Sequence, residues 1–492
     1  VNLFLTKPVS PAPHVDAGEP VEGSLEGEVT LKRVLSARHL VLLGVGAIIG
    51  AGIFVLTGQA AAQHAGPAVM LSFVFAGFAC ALAGLCYAEF AAMLPVSGSA
   101  YSYSYATLGE LVAWFIGWNL VLEYLFAAST VAVGWSGYLN GLLGTIGNAA
   151  GITLALPDAL SSAPLTVREG RLVATGAIIN LPAIAIVIGI ATLCYRGIKH
   201  SATANNVIVA IKLAVIFLFL GFGLQYVNPE NWEPFIPAMD EEGRFGMQGV
   251  LRAAAIVFFA YIGFDAVSTA AQETKNPQRA MPIGILGSLV VCTLLYIAMC
   301  AVLTGMLPYT QLGTPKPVAT ALEAYPSLLW LKTLVEIGAV AGLSSVILVM
   351  IMGQARIFYA MAKDGLISPI FGRVHPKYRT PHVGTAFVGV VATVLAGLLP
   401  ISVLGDLVAM GTLLAFTTVC IGVLVLRYTK PDLPRSFRVP AAIIVCPLGA
   451  LACFYLFLQA FRDNWHWMSA WIVIGFIIYF AYGYRHSALR KG

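Results

Sequence analysis

The chain has 492 residues, of which 59% are hydrophobic and only 10% charged, with a net charge of +5. A soluble domain carries about 25% charged residues, so the composition excludes a soluble globule and points to a helical protein that crosses the membrane many times. Lys and Arg gather between apolar runs, a distribution that belongs to membrane topology and excludes a nucleic-acid surface.

Residues 1–37 are polar and rich in Pro, Gly and Glu; they read as a cytoplasmic tail with no apolar signal core, with a surface-lying segment near Leu31–Leu35. Span 1 covers about 38–62 and is interrupted at Gly50-Ala51-Gly52. A run of this length can cross a bilayer, which takes about 20 apolar residues. Glycines at its centre break the helix, and unwound backbone at that depth must be buried in protein or line a wet cavity. Span 2 covers about 68–94, and the tyrosine-rich stretch Val96–Thr107 suits an interfacial segment. Spans 3, 4 and 5 cover about 108–139, 174–195 and 201–226, with 140–173 as a polar external loop. Span 6, about 248–271, is interrupted at Ala260-Tyr261-Ile262-Gly263-Phe264-Asp265. Spans 7 to 12 cover about 282–306, 329–361, 382–400, 404–427, 441–461 and 468–484.

Basic residues mark one side: Arg196 and Lys199, Lys275 and Arg279, Lys363 to Arg379, Lys430 to Arg438, and Arg490 and Lys491. Both ends of the chain are therefore expected on the cytoplasmic side. The two interrupted spans lie five apart, so the halves that contain them run in opposite directions. Residues 38–226 and 248–427 read as inverted repeats, with 441–485 appended. Paired broken helices in such repeats point to a midplane substrate site in a secondary transporter; a single break would mean little, because membrane helices tolerate glycine.

The N–H groups of Gly50, Ala51 and Gly52 would open the second half-helix of span 1, an end with about half a positive charge that suits a carboxylate. Carbonyls near Ile48, and near Phe259, Ala260 and Ile262, suit an α-ammonium. A free amino acid carries both groups within a few ångströms. Close helix packing through small residues is the plain alternative.

Lys212 lies eleven residues past Ser201, about 16 Å at 1.5 Å per residue, too deep for easy snorkelling. A lysine there costs about 2.5–3.5 kcal/mol on insertion scales. It can carry a proton, or stand as an ammonium where other transporters hold sodium, tying span 1 to span 8. Glu123 in span 3 can meet a cationic substrate, hold a proton, or fix span 3 against span 1. Asp265 suits the N-cap of the second half of span 6, and its place beside the site also suits pH-coupled gating. Ser344 and Ser345 can receive the Lys212 ammonium, with Leu348 one turn on as a pocket wall. Tyr124, Phe259 and Tyr261 are lid aromatics or plain packing. The eight cysteines lack metal-ligand or CxxC spacing, and no hydrolase, nucleotide-binding or metalloprotease motif occurs.

Five stretches now carry a resemblance: Gly44–Gly58, Gly98–Glu110, Ala260–Thr269, Glu273–Pro282 and Gly353–Gly365. Together they resemble the amino acid–polyamine–organocation superfamily, and within it bacterial members of the cationic amino acid transporter branch. The resemblance implies the LeuT fold, a 5+5 inverted repeat plus two helices, and amino acid transport by alternating access. It implies substrate contacts at Ile48, Gly50, Ala51, Gly52 and Ile53, and at Phe259, Ala260 and Ile262. It matches Lys212 to a span 5 lysine of proton-coupled relatives and Glu123 to a span 3 acid. Two departures stand out: Ala51 where many relatives have serine, and Gln272-Glu273 where two acids are common. Bacterial members like this one point to alanine and other neutral substrates, and Leu348 would narrow a pocket for long basic side chains.

The expected protein is thus a proton-coupled amino acid symporter of the plasma (inner) membrane, not an enzyme. An amino acid or amino acid/polyamine exchanger is the alternative, and a non-transporting sensor a third. The implied partners are an L-amino acid, protons and the lipid bilayer, with no nucleic acid, metal or cofactor; an accessory membrane subunit stays open.

Overall fold

A computed structural model describes residues 3–7, 35–93, 99–168, 171–197, 202–241, 244–269 and 274–491. Most of the expected tail, the segment ahead of Leu35, Gly98, Lys199 and Gln272-Glu273 lie outside the described residues. The chain is mostly helical. Among the described residues, seven helical stretches are long and apolar enough to cross a membrane, and four shorter apolar helices accompany them. The outward-facing side chains are apolar too: Val207, Phe217, Ile443 and Leu451 are each more than half exposed. Such belts are what a bilayer covers.

The helices begin with α1 (Ala37–Ile48), α2 (residues 52–65), α3 (Val69–Met93), α4 (Ser99–Thr107) and α5 (Glu110–Ala150). A two-stranded hairpin pairs β1 (Leu165–Arg168) with β2 (Arg171–Ala174). Then follow α6 (Leu181–Arg196), α7 (Ala202–Gly223), α8 (Gly246–Val257), α9 (Ala266–Thr269), α10 (Pro277–Met306), α11 (Pro317–Glu323), α12 (Leu329–Lys363), α13 (His382–Leu398), α14 (Ile401–Thr429) and α15 (Ala442–Ile478). One group packs α1, α3 and α8 around α10 or each other; a second packs α5 on α12 and α6 on α13, with α7 against α12. α14 and α15 pair with each other.

Several boundaries differ from expectation. The helix of span 3 runs to Ala150 and ends at Gly151 in the left-handed region (φ 71°), so the first part of the expected external loop is helix, and the hairpin occupies another part of it. Spans 11 and 12 are two helices that meet directly at a kink, where Asn464 is non-helical (φ −122°, ψ 25°), with no loop between them. The interfacial reading of Tyr101, Tyr103 and Tyr105 does not hold: all three are buried. They pack inside the protein, with the Tyr101 hydroxyl donating to Asp364 at 2.7 Å and the Tyr103 ring stacked on Phe90.

Asp364 also accepts from Lys7 at 2.7 Å. Glu110, buried at the start of α5, accepts from Tyr479 at 2.8 Å, from Arg490 at 3.0 Å and from Ser487. Sequence segments from both ends of the chain therefore meet on the same face, at the start of α5 and the end of α12.

Candidate functional site

Both expected interruptions are present. α1 stops at Ile48, and Ile49 turns extended (φ −70°, ψ 102°). The helix resumes at Gly52 in a wide π-type turn over Gly52–Leu56. The Phe54 N–H reaches back to Gly50 O at 3.3 Å, and the N–H groups ahead of it open the half-helix. In span 6, α8 passes into a tight turn over Phe258–Tyr261, and Ile262 is extended (φ −60°, ψ 135°). Gly263 follows at φ 118°, and a Cβ there would lie 2.8 Å from the Ala47 carbonyl carbon and oxygen. No other residue adopts that backbone cheaply.

The two breaks touch. A Cβ on Gly52 would stand 2.3 Å from Ala260 Cβ and 2.5 Å from Ala260 Cα. Beside this contact lies a cavity of about 10 Å³, lined by Ala47, Ile48, Gly50, Ala51, Gly52, Val131, Phe259, Ile262, Val346 and Met350. That is room for about one water molecule. The described conformation is shut around the breaks, and a larger guest enters only if the helices part.

Six of the expected substrate contacts therefore line one cavity: Ile48, Gly50, Ala51, Gly52, Phe259 and Ile262. Ala260 forms the contact with Gly52 rather than the lining. Ile53 points its carbonyl at the Thr57 hydroxyl, which donates at 2.9 Å. Leu348 is also absent from the lining, and its carbonyl faces the Cys194 thiol of α6. The wall from α12 is Val346 and Met350, four residues apart and so on one face. Leu348 sits half a turn from both. Of the three lid aromatics only Phe259 reaches the cavity; Tyr261 donates to Phe73 O at 2.9 Å instead.

Lys212 is 1% exposed, and its ammonium donates to Gly46 O and Ile49 O, each at 2.8 Å. These carbonyls close the first half of span 1, just ahead of the break. The stem passes Gly342 of α12, where a Cβ would lie 2.8 Å from Lys212 Cε. The link between spans 1 and 8 is thus made, but not through the expected hydroxyls. Ser344 donates to Val340 O at 2.8 Å and accepts from Trp135 Nε1 at 2.9 Å; Ser345 donates to Gly342 O at 2.8 Å. Both serines are spent on their own helix, and Ser344 also on α5.

The Asp265 carboxylate accepts from the Gly263 N–H at 3.3 Å and from the Tyr124 hydroxyl. It braces the break behind itself and ties it to α5. Its backbone carbonyl accepts from Ser268 N at 2.8 Å. Glu123, the residue before Tyr124, is fully buried, and neither carboxyl oxygen has a hydrogen-bond partner among the described residues. It does not line the cavity.

Tyr296, like Val346 and Met350, escaped the sequence reading. The Tyr296 hydroxyl of α10 lies 2.9 Å from Ile48 O and 2.7 Å from Ala260 O. It bridges the two breaks at the carbonyls assigned to an ammonium. The available signal was a polar-tipped ring in the middle of an apolar span, buried only where its hydroxyl has a partner. Tyr296→Phe is expected to leave these carbonyls short of a donor, at a cost of about 1–3 kcal/mol. Thermal unfolding in detergent reads the loss as a lower melting temperature; an unchanged melting temperature would remove Tyr296 from the joint.

A family model for amino acid permeases matches residues 35–481. The chain belongs to the amino acid permease family. This permease is 47% identical over 462 residues to the methylthioribose transporter of Bacillus subtilis (strain 168), covering 94% of this chain and 96% of the relative. It is 46% identical to the branched-chain amino acid permease BcaP of the same organism, with the same two coverages. It is 37% identical to the vacuolar cationic amino acid transporter 4 of Arabidopsis thaliana, over 83% of this chain and 65% of the relative. The permease is a multi-pass membrane transporter and not an enzyme.

Proposed function

We propose that this permease is a proton-coupled symporter of small neutral L-amino acids in the plasma membrane, working by alternating access. The reading takes twelve crossings in the LeuT arrangement. Spans 1–5 and 6–10 are its inverted repeats, the two halves of α15 are spans 11 and 12, and both ends of the chain are cytoplasmic. The observation that carries it is the Lys212 ammonium on Gly46 O and Ile49 O, at the edge of a closed cavity between two broken helices. The N–H groups that open α2 receive the substrate carboxylate, and the carbonyls around Ile48 and Ala260 receive its ammonium. Protonated Lys212 holds the first half of span 1 in place. Loss of that proton on the cytoplasmic side weakens the hold and lets the half-helix swing away from the substrate.

The side chains around the cavity, Val131, Phe259, Ile262, Val346 and Met350, carry no charge. That lining supports a neutral substrate with a short apolar side chain. The name of the branched-chain relative agrees with this; that of the methylthioribose relative adds a thioether sugar as a substrate to test. The test is uptake of radiolabelled alanine, leucine, arginine and methylthioribose into proteoliposomes, with and without an inward proton gradient. Gradient-driven alanine or leucine uptake is expected. Uptake that ignores the gradient but needs internal amino acid would establish an exchanger instead.

Met350 sets the room for the substrate side chain. Met350→Ala is expected to raise phenylalanine uptake relative to alanine by about ten-fold, in line with the 1–3 kcal/mol that one or two methylenes decide in such a pocket. An unchanged ratio would take Met350 out of side-chain selection.

A further inference from the structure

Helix α12 runs past the cavity at the breaks and on to Asp364, where segments from both ends of the chain meet. Val346 and Met350 line the cavity. Gln354 is the next residue at that spacing, on the same face and one turn nearer the chain ends. Seven residues further on, Met361 closes the stripe against α5. A Cβ on Gly117 there would lie 2.9 Å from Met361 Cε and Sδ and 3.0 Å from Tyr101 Cδ2. Gln354 therefore stands between the cavity and a plug of packed side chains, on the way to the chain ends.

Gln354 is 0% exposed, yet neither its Oε1 nor its Nε2 has a hydrogen-bond partner among the described residues. Burying such groups unpaired is costly, and natural interiors hold few of them. The serines of the same helix show the usual outcome, each donating to a carbonyl a turn back. The Gln354 amide is bare in the shut molecule, so its partner belongs to another state of the cycle. Glu123 shares this condition, and so does the hydroxyl of Tyr87, whose ring packs on Phe264 just past the second break.

The chemistry of the exit says what that partner is. In the cavity the substrate carboxylate rests on the N–H groups that open α2, and α2 runs away from the chain ends. On the other side of the breaks stand the carbonyl end of α1 and the Glu123 carboxylate, neither of which donates to an anion. A carboxylate leaving α2 in that direction needs a new donor. Gln354 lies four residues past Met350, about 6 Å along the helix axis, and an amide nitrogen carries two N–H groups.

We propose that Gln354 is a substrate-binding residue of the inward-facing state: its amide N–H groups take the α-carboxylate of the amino acid as the substrate leaves the cavity at the breaks for the cytoplasm. The proposal rests on the transporter reading above and adds a release step to it. The bare amide burdens the shut molecule, and the burden lifts once the path opens, so the same group favours opening and receives what leaves.

The test compares Gln354→Glu and Gln354→Leu in the full chain, in right-side-out and inverted membrane vesicles. The readout is KM for alanine at the cytoplasmic face divided by KM at the outer face. Glu matches Gln in size but repels a carboxylate, and it is expected to raise this ratio by about ten-fold or more. Leu lacks the donor without repelling, and is expected to raise it by about three-fold. If the amide serves only to admit water, the order reverses, with Glu within two-fold of the parent and Leu the worse. That order, or an unchanged ratio in both variants, overturns the proposal. Thermal unfolding in detergent supplies an arm that needs neither transport nor the Glu variant. Gln354→Leu removes two orphaned polar atoms at similar volume and is expected to raise the melting temperature by about 2 °C or more. A lower or unchanged melting temperature would mean that the amide is already paired, and overturns the proposal as well. If vesicles with the parent chain take up no amino acid, the transporter reading has failed; if they do and the ratio does not move, only the role of Gln354 has.

Discussion

Lys212→Met is expected to abolish accumulation of substrate against its gradient, with uptake driven by an inward proton gradient falling at least fifty-fold. The substitution keeps most of the stem beside Gly342 and removes only the ammonium. Two charge-assisted bonds go with it, to Gly46 O and Ile49 O. Each such bond contributes about 1.5–3 kcal/mol, and 1.4 kcal/mol is a factor of ten in an equilibrium. The end of the first half-helix then loses its tie to α7, and no group there gains or loses a proton with the transport cycle. Counterflow between equal internal and external pools is expected to survive, because the cavity lining is untouched. The decisive measurement is uphill uptake at several external pH values. If Lys212→Met still concentrates alanine with the native pH dependence, the proton is carried elsewhere, and buried Glu123 becomes the group to examine.

Gly52→Ala carries the second large effect. Its new methyl would sit 2.3 Å from Ala260 Cβ and 2.5 Å from Ala260 Cα, well inside van der Waals contact. The two broken spans must separate by about 1 Å or more to admit it, and misplacement on that scale can cost a hundred-fold in function. Transport is expected to fall by about that factor in protein that still reaches the membrane. Ala260→Gly is not expected to rescue it, since the Cα of residue 260 remains in the way. Uptake within two-fold of the parent would mean that the breaks do not need their close approach.

The sequence made both breaks legible for a physical reason. Glycines and an aspartate at the centre of apolar spans conflict with an unbroken membrane helix, and the conflict has few resolutions. The depth of Lys212 was legible in the same way, because an ammonium inside a membrane is costly wherever it points. Its direction was not. Residue spacing gives depth along a helix, but the angle around the helix depends on how neighbours pack. Hence Ser344 and Ser345 were expected as its acceptors where backbone carbonyls of α1 serve. The same half-turn error put Leu348 in the wall in place of Val346 and Met350. Tyr296 stayed hidden because a polar-tipped ring in an apolar span does not say which groups its hydroxyl meets. Its role appears only when the carbonyls of two distant segments converge on its hydroxyl. Spans 11 and 12 were legible as two because the polar stretch Arg462 to His466 divides them, and the backbone kinks within that stretch, at Asn464.

The Tyr296 hydroxyl has one hydrogen and faces two carbonyls, one from each interrupted span. It can donate to only one of them at a time. Ile48 and Ala260 each belong to one interrupted span, yet at any instant they are chemically unequal. The pseudo-twofold relation suggested by the sequence therefore stops at a single proton, and the midpoint of the molecule has a handed choice where its surroundings are matched.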